Sequence, residues 1–237
     1  MTALPGAGAE APYGAAVERA GLGASATFML EEVHDGARVL DVGCATGYIA
    51  ERLTARGCAV TGLEQDARAA ARAEEHCERV VVGDVESAGD RAAVGDGFEV
   101  ILLGDVLEHL VDPWSALRAM HDLLAPGGVV VTSIPNVAAW TVRAELLRGR
   151  FEYTEHGLLD RTHLRFFTRS TAHALVHGAG FAIERERFTP IEERPPGILR
   201  RLLPRVTDVA VKALTRAVPG LLAQQFVLRL RPAGRSR

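Results

Sequence analysis

The stretch Val39-Leu40-Asp41-Val42-Gly43-Cys44-Ala45-Thr46-Gly47 constrains this chain more than any other. Val39, Leu40 and Val42 give the unbroken apolar run of a strand covered on both faces, as at the centre of a parallel sheet. Gly43 and Gly47 permit a tight turn and let a ligand come close to the backbone. A helix from Tyr48 to Arg56 follows at once. Its first amides therefore face the carboxyl ends of the strands, where open α/β sheets take their ligands.

The spacing downstream repeats the theme. Cys58 to Leu63 reads as a second strand ending at Glu64, and Asp66 caps a helix to about His76. Arg79 to Val82 is a third strand, ending in Gly83-Asp84, and Phe98 to Leu103 a fourth, ending in Gly104-Asp105. Pro113 opens a helix that stops at Pro126-Gly127-Gly128, before a fifth strand from Val129 to Ile134. This alternation predicts an α/β fold with a doubly wound, mostly parallel sheet. The rhythm then breaks. Val137 to Arg148 is helical in pattern, and Gly149 to Phe167 is polar, aromatic and irregular, the kind of segment that usually carries function. Thr168 caps a helix to about Gly178. Phe181 to Phe188 and Gln225 to Arg231 alternate, predicting an antiparallel hairpin at the sheet edge, with Glu184, Arg185 and Glu186 on its more exposed side. The expected organisation is a flexible arm at 1–14 and a single domain at 15–237. That domain carries an insertion at about 137–167 and a basic helical excursion at about 195–218, read as a cover for the sheet rather than a membrane or partner contact.

Charge and cysteine usage narrow the classes. A net charge of −3 and a pI near 6.3 argue against nucleic-acid binding. No apolar run approaches the roughly 20 residues of a membrane span, and the opening residues lack the pattern of a secretory leader. Cys44, Cys58 and Cys77 are odd in number and without metal-ligand spacing, which predicts reduced thiols in the cytoplasm. Lys212 is the sole lysine among many arginines, a bias that suggests a GC-rich bacterial genome.

The acids at strand ends say what binds. Asp41 precedes the glycine turn, and Glu64, Asp84 and Asp105 end strands two, three and four. A carboxylate ending strand two is placed to accept both hydroxyls of a ribose, and the next can accept from the amine of an adenine. No basic residue lies in the turn to receive phosphate. The ligand expected is an adenosine without phosphates that carries positive charge, which describes S-adenosylmethionine. A dinucleotide fingerprint would need glycine where Ala45 stands, and a P-loop would need Gly-Lys-Ser or Gly-Lys-Thr, which is absent. For Asp105, a solvated acidic loop is an equal alternative.

From about Arg38 to Arg231 the chain resembles the class I S-adenosylmethionine-dependent methyltransferases. VLDVGCATG resembles their first motif, GLEQD the second-strand acid, GDVE the adenine-side acid and LLAPGG the loop before strand five. DVLEHLVDP resembles the ubiquinone-pathway O-methyltransferases and their bacterial relatives. PNVAAW and GRFEYTEHGLLDRTHLRFFT resemble a bacterial subgroup linked to polysaccharide, glycosyl or natural-product pathways. Ala45 departs from the glycine usual in the family. The resemblance implies a seven-stranded sheet with an antiparallel last strand. It implies that Gly43, Cys44 and Gly47 line the methionine portion, Glu64 the ribose with Gln65 beside the adenine, Asp84 and Val85 the adenine, and Gly104 and Asp105 the methyl end. The acceptor it implies is a small molecule or glycosyl group methylated on oxygen rather than nitrogen; a homodimer is compatible with it.

Methyl transfer is an in-line displacement in which positioning is worth up to about 7–11 kcal/mol. A base for a hydroxyl acceptor adds about 10²–10⁴-fold. His109, after strand four, and His163, in a Thr162-His163 pair, are the candidate bases, with Asp160 placed to orient the His163 ring. The alternatives are a helix-start histidine bonding a carbonyl, and a pair that merely ties the insertion to the sheet. Asp105, Glu108 and His109 also match an acid-x-x-Glu-His pattern that binds magnesium in some ubiquinone-pathway enzymes; a solvated loop with a local cap is the favoured alternative. Trp140, Phe151, Tyr153, Phe166 and Phe167 suggest an acceptor wall, or a satellite core. A non-catalytic S-adenosylmethionine-binding partner or sensor is the rival function.

Overall fold

The computed structural model describes residues 22–191, 210 and 213–234. The arm at 1–14 and most of the excursion at 195–218 lie outside the described residues. In chain order the elements are α1 (Ala24–Glu31), β1 (Arg38–Val42), α2 (Tyr48–Thr54), β2 (Ala59–Glu64), α3 (Ala67–Ala73), β3 (Arg79–Val82), α4 (Ala88–Val94) and β4 (Phe98–Gly104). A 3-10 turn at Leu107–His109 leads to α5 (Pro113–Leu123), β5 (Leu124–Pro135), α6 (Trp140–Leu147), α7 (Arg169–Gly178), β6 (Phe181–Pro190), α8 (Pro219–Leu222) and β7 (Ala223–Pro232). The strands form one seven-stranded sheet in the order β3-β2-β1-β4-β5-β7-β6. β1 and β3 both run parallel to β2, whereas β7 is antiparallel to both β5 and β6. The doubly wound sheet with an antiparallel last strand is as expected. The closing hairpin differs in one respect: β7 slots between β5 and β6, so of these two strands β6 alone lies at the edge. Among the described residues no helix is long and apolar enough to cross a membrane.

Two compact units can be distinguished: one takes the described residues through Leu102 with Asp122–Gly128, the other Leu103–His121 and Val129 onward. In the first, Val39, Leu40, Val60, Phe98 and Ile101 are fully out of solvent. Burial of each such side chain is worth about 1.5–3 kcal/mol. Asp66 caps α3 by accepting from the Arg68 N–H, and Ala69, Ala70 and Ala73 form its buried face. That face is small for a reason. A Cβ on Gly47 would stand 3.0 Å from the Ala73 Cα, and one on Gly62 would stand 2.6 Å from the Cys44 sulfur. Two glycines and an alanine stripe thus let the turn after β1 nest against β2 and α3.

In the second unit Thr168 and Thr171 form a reciprocal capping box at the start of α7. β6 carries a register shift between Ile183 and Arg185, and a bulge turns the side chains that follow it. Glu186, expected on the exposed side, is instead 11% exposed. It accepts from Arg169 on both oxygens and pairs with His173 at 2.9 Å.

Candidate active site

In the first unit the turn after β1 is bent into the left-handed region at three places: Gly43 (φ 69°), Ala45 (φ 49°) and Gly47 (φ 81°). Glycine adopts this freely; alanine does so at a cost of about 1–2 kcal/mol. Glu64 supplies the compensation. Its Oε2 accepts from the Ala45 N–H at 2.9 Å and its Oε1 from the Asp66 N–H at 2.9 Å. One carboxylate therefore organises both the glycine turn and the entry to α3. Asp41 is buried, and its Oδ2 has no hydrogen-bond partner among the described residues. Burial, then the Glu64 carboxylate, raises its pKa to about 7. The Cys44 side chain is packed away from solvent, and its hydrogen bond to Cys77 and its burial push the thiol above its ordinary range. Asp84 and Gln65 are exposed and Val85 is buried. The Asp84 N–H donates to Asp90 and its Oδ1 accepts from the Glu86 N–H.

In the second unit Asp105 is held at φ 53°. Its N–H donates to Ser133 Oγ at 2.9 Å, and its Oδ1 accepts from Ser133 Oγ and Gln225 Nε2, both at 2.8 Å. Burial lifts the Asp105 carboxyl above its usual range; the two hydrogen bonds and His109 offset part of this. Asp105 is therefore no solvated loop acid. Neither is Glu108, the expected member of a locally capped loop: it is 1% exposed, and no other described residue gives either carboxylate oxygen a hydrogen bond. Burial and then Asp105 raise its carboxyl well above the usual range, against a small pull from its own backbone N–H, and Asp160 raises it further.

The insertion closes on this turn. The Glu108 carbonyl accepts from the N–H groups of Leu164 (2.8 Å) and Arg165 (2.9 Å), and Arg165 reaches the Val111 carbonyl. His109 Nδ1 meets the Thr162 carbonyl and hydroxyl, each at 3.2 Å. A carbonyl can only accept, so Nδ1 carries the proton and Nε2 is left with a lone pair in the neutral ring. The His109 and His163 rings stand 4.8 Å apart, edge to face. His163 is 7% exposed; burial and His109 hold its pKa below the ordinary value, against Asp160 and a hydrogen bond to the Leu158 carbonyl. The direction of the shift favours the neutral ring. Asp160 does not orient this ring as expected. Its Oδ1 accepts from the Thr162 N–H (2.8 Å) and Oγ1 (2.6 Å), so the carboxylate fixes Thr162, and Thr162 fixes His109. Burial works to raise the Asp160 carboxyl, but the Thr162 bonds, His163 and His109 bring it below its ordinary value. One ligand atom each from Glu108, His109 and His163 lies within 4.8 Å of the others.

Phe151 stacks edge-on to Tyr153 and Phe166, and Phe166 lies 6.1 Å from the His163 ring. Phe151 and Tyr153 are 40% and 57% exposed, so this cluster is a wall open to solvent and no closed satellite core. Phe167 is buried and belongs to the core instead.

With this geometry in view, residues 16–186 match the family model described as a methyltransferase domain. The chain belongs to this methyltransferase family. Its sheet order and strand-end motifs are of the class I S-adenosylmethionine methyltransferase type. A ubiquinone biosynthesis O-methyltransferase of Cereibacter sphaeroides is 36% identical over 104 residues, which are 43% of this chain and 42% of the relative. One of Albidiferax ferrireducens is 30% identical over 174 residues, 67% of this chain and 66% of the relative. The matches thus cover about two fifths to two thirds of these relatives. The crystal structure of an S-adenosylmethionine-dependent methyltransferase from Archaeoglobus fulgidus superposes with a TM-score of 0.63 at 17% identity, over 92% of this chain and 99% of that one.

Ser133, Gln225, Thr162 and the Leu158 carbonyl are the supporting groups that the sequence did not single out for these roles. Gln225 lies 120 residues from the carboxylate it serves, and no local pattern points there. Thr162 stands out in the sequence only through its pairing with His163.

Proposed function

We propose that this protein transfers the methyl group of S-adenosylmethionine to a hydroxyl of a small-molecule or sugar-linked acceptor, in a bacterial natural-product, polysaccharide or quinone-like pathway. The carrying observation is the Glu64-organised turn after β1, which offers acids and backbone to a cationic adenosine and gives phosphate no basic side chain. In this reading Glu64 and Gln65 take the ribose and its surroundings, Asp84 and Val85 the adenine, and Asp41, Gly43, Cys44 and Gly47 the methionine portion. Gly104 and Asp105 contact the methyl end. The single-domain organisation at 15–237 and a cytoplasmic setting for the three free thiols belong to the same reading. Two named relatives are O-methyltransferases of ubiquinone biosynthesis, which supports oxygen as the acceptor atom.

The acceptor loses its proton at the His109–His163 cluster. His163, kept neutral, and His109, held through Thr162 by Asp160, are the candidate bases, and the open wall of Phe151, Tyr153 and Phe166 receives an aromatic or apolar acceptor body. The test is an assay for S-adenosylhomocysteine formation against a panel of phenols, catechols and glycosides. Turnover with hydroxyl acceptors is expected. Tight donor binding with no turnover on any hydroxyl, or turnover confined to amines, would overturn the reading.

A further inference from the structure

Gly62 lies in the interior of β2 without left-handed backbone, so conformational freedom is not what the position requires. A glycine inside a strand weakens it and often marks a close approach. What approaches here is a pair of sulfurs. A Cβ on Gly62 would stand 2.6 Å from the Cys44 sulfur and 3.4 Å from the Cys77 sulfur, and the two thiols are hydrogen-bonded to each other. Cys44 belongs to the turn after β1, and Cys77 follows α3, where its N–H donates to the Ala73 carbonyl. Cys58, the third free thiol, is engaged elsewhere and donates to the His34 carbonyl at 3.5 Å. The two paired sulfurs differ in access: Cys44 is 2% exposed, whereas Cys77 is half-buried.

We propose that Cys44 and Cys77 are a redox pair whose reversible disulfide disengages the methyl donor from the turn after β1. The oxidant is a low-molecular-weight disulfide such as glutathione disulfide. The Cys77 thiolate attacks one of its sulfurs, the glutathione S–S bond breaks, and one glutathione thiolate leaves and takes up the Cys77 proton from solvent. The Cys44 sulfur then attacks the Cys77 sulfur of the mixed disulfide, and the second glutathione leaves with the Cys44 proton. Two cysteine thiols are oxidised, and one glutathione disulfide is reduced to two thiols. The hydrogen bond to Cys77 and burial hold the Cys44 thiol protonated, so reaction begins at Cys77, the sulfur that solvent reaches. Closing the bond brings the sulfurs to about 2.0 Å and draws Cys44 toward Cys77. The turn has no slack to absorb this. Glu64 holds its Ala45 N–H, and a Cβ on Gly47 would already meet the Ala73 Cα at 3.0 Å. A shift of about 1 Å takes a backbone hydrogen bond to a ligand out of range. This deepens the proposed function and rests on that reading for the identity of the donor; the thiol pair itself does not depend on it.

The test equilibrates the full chain in glutathione redox buffers, quenches it with acid and scores the Cys44–Cys77 link by peptide mass after alkylation. Calorimetry then gives the affinity of the reduced and of the oxidised chain for S-adenosylhomocysteine. One disulfide joining Cys44 to Cys77 is expected, with affinity at least about tenfold weaker in the oxidised chain and restored by dithiothreitol. Linkage requires the same factor in reverse: saturating S-adenosylhomocysteine should raise the midpoint potential of the pair by about 30 mV for each tenfold loss of affinity. Cys77→Ser should bind as the reduced wild type does in every buffer, whereas Cys58→Ser should keep the full redox response. A reduced chain that binds S-adenosylhomocysteine but forms no Cys44–Cys77 disulfide, or forms it with no change in affinity, would overturn the proposal alone. A reduced chain that binds no S-adenosylhomocysteine would overturn the donor reading and with it the control of donor binding, while peptide mass would still decide whether the thiols pair.

Discussion

Ala45 in the first unit and Asp105 in the second are the two described residues other than glycine with left-handed backbone. They hold it by opposite means. Ala45 has no polar side chain, and its N–H is caught by a carboxylate from the neighbouring strand. Asp105 brings its own carboxylate, which Ser133 and Gln225 clamp from two other strands. Strain of this kind persists only where the surroundings over-determine it. The difference shows two ways of preparing a site. The turn after β1 presents backbone and is fastened by Glu64, whose two oxygens hold the Ala45 and Asp66 N–H groups. The turn after β4 uses Asp105 as its fastener and gathers Glu108, His109 and His163 beside it. In the proposed reading one region holds the ligand and the other carries the chemistry.

The largest expected effect sharpens that contrast. His163→Ala should lower kcat by about 10²–10⁴-fold, with the affinity for S-adenosylhomocysteine unchanged in calorimetry. Equal losses in both quantities would mean that the two regions do not divide the work. Asp105→Ala should cost about 3 kcal/mol in urea denaturation, because it removes the two charge-assisted bonds and leaves a strained alanine. Asp105→Gly should recover the backbone part, about 1 kcal/mol of it. If both variants fall equally, backbone strain contributes nothing there.

A third effect follows from Asp41. Its folded pKa, about 7, lies above its ordinary value of 3.8. The protonated acid therefore contributes stability that is present in full below about pH 3.8 and lost as the pH rises through 7. Asp41→Asn cannot ionise, so above pH 7 it should exceed the wild type by on the order of a few kcal/mol, and the two should converge in acid. Parallel stability curves would contradict the burial argument. The smallest effect is Ala45→Gly, which should stabilise the chain by about 1 kcal/mol, read as a rise in Tm. A fall in Tm would mean that the turn is not strained at Ala45.

The first region was largely legible in the sequence because its signals are local. Apolar runs, glycines in the turn and an acid at each strand end are all set by the strand-turn-helix period, and the departure at Ala45 sits where the backbone turns left-handed. The second region was legible only in its parts. Asp105, Glu108, His109, Asp160 and His163 were named, but their partnerships were not. His109 meets Thr162 across 53 residues and Asp105 meets Gln225 across 120, and only tertiary folding decides such pairs. The bulge in β6 likewise inverted the expected exposure of Glu186, because one register shift moves every later side chain to the other face.

Ligand binding at the turn after β1 is the most direct point to test. Calorimetric titration of the full chain with S-adenosylmethionine and S-adenosylhomocysteine should show one saturable site. Glu64→Ala should weaken it by at least about tenfold, since the variant loses both the ribose acceptor and the carboxylate that fixes Ala45 and Asp66. Binding of neither ligand to the wild-type chain, or equal binding to the wild type and Glu64→Ala, would contradict it.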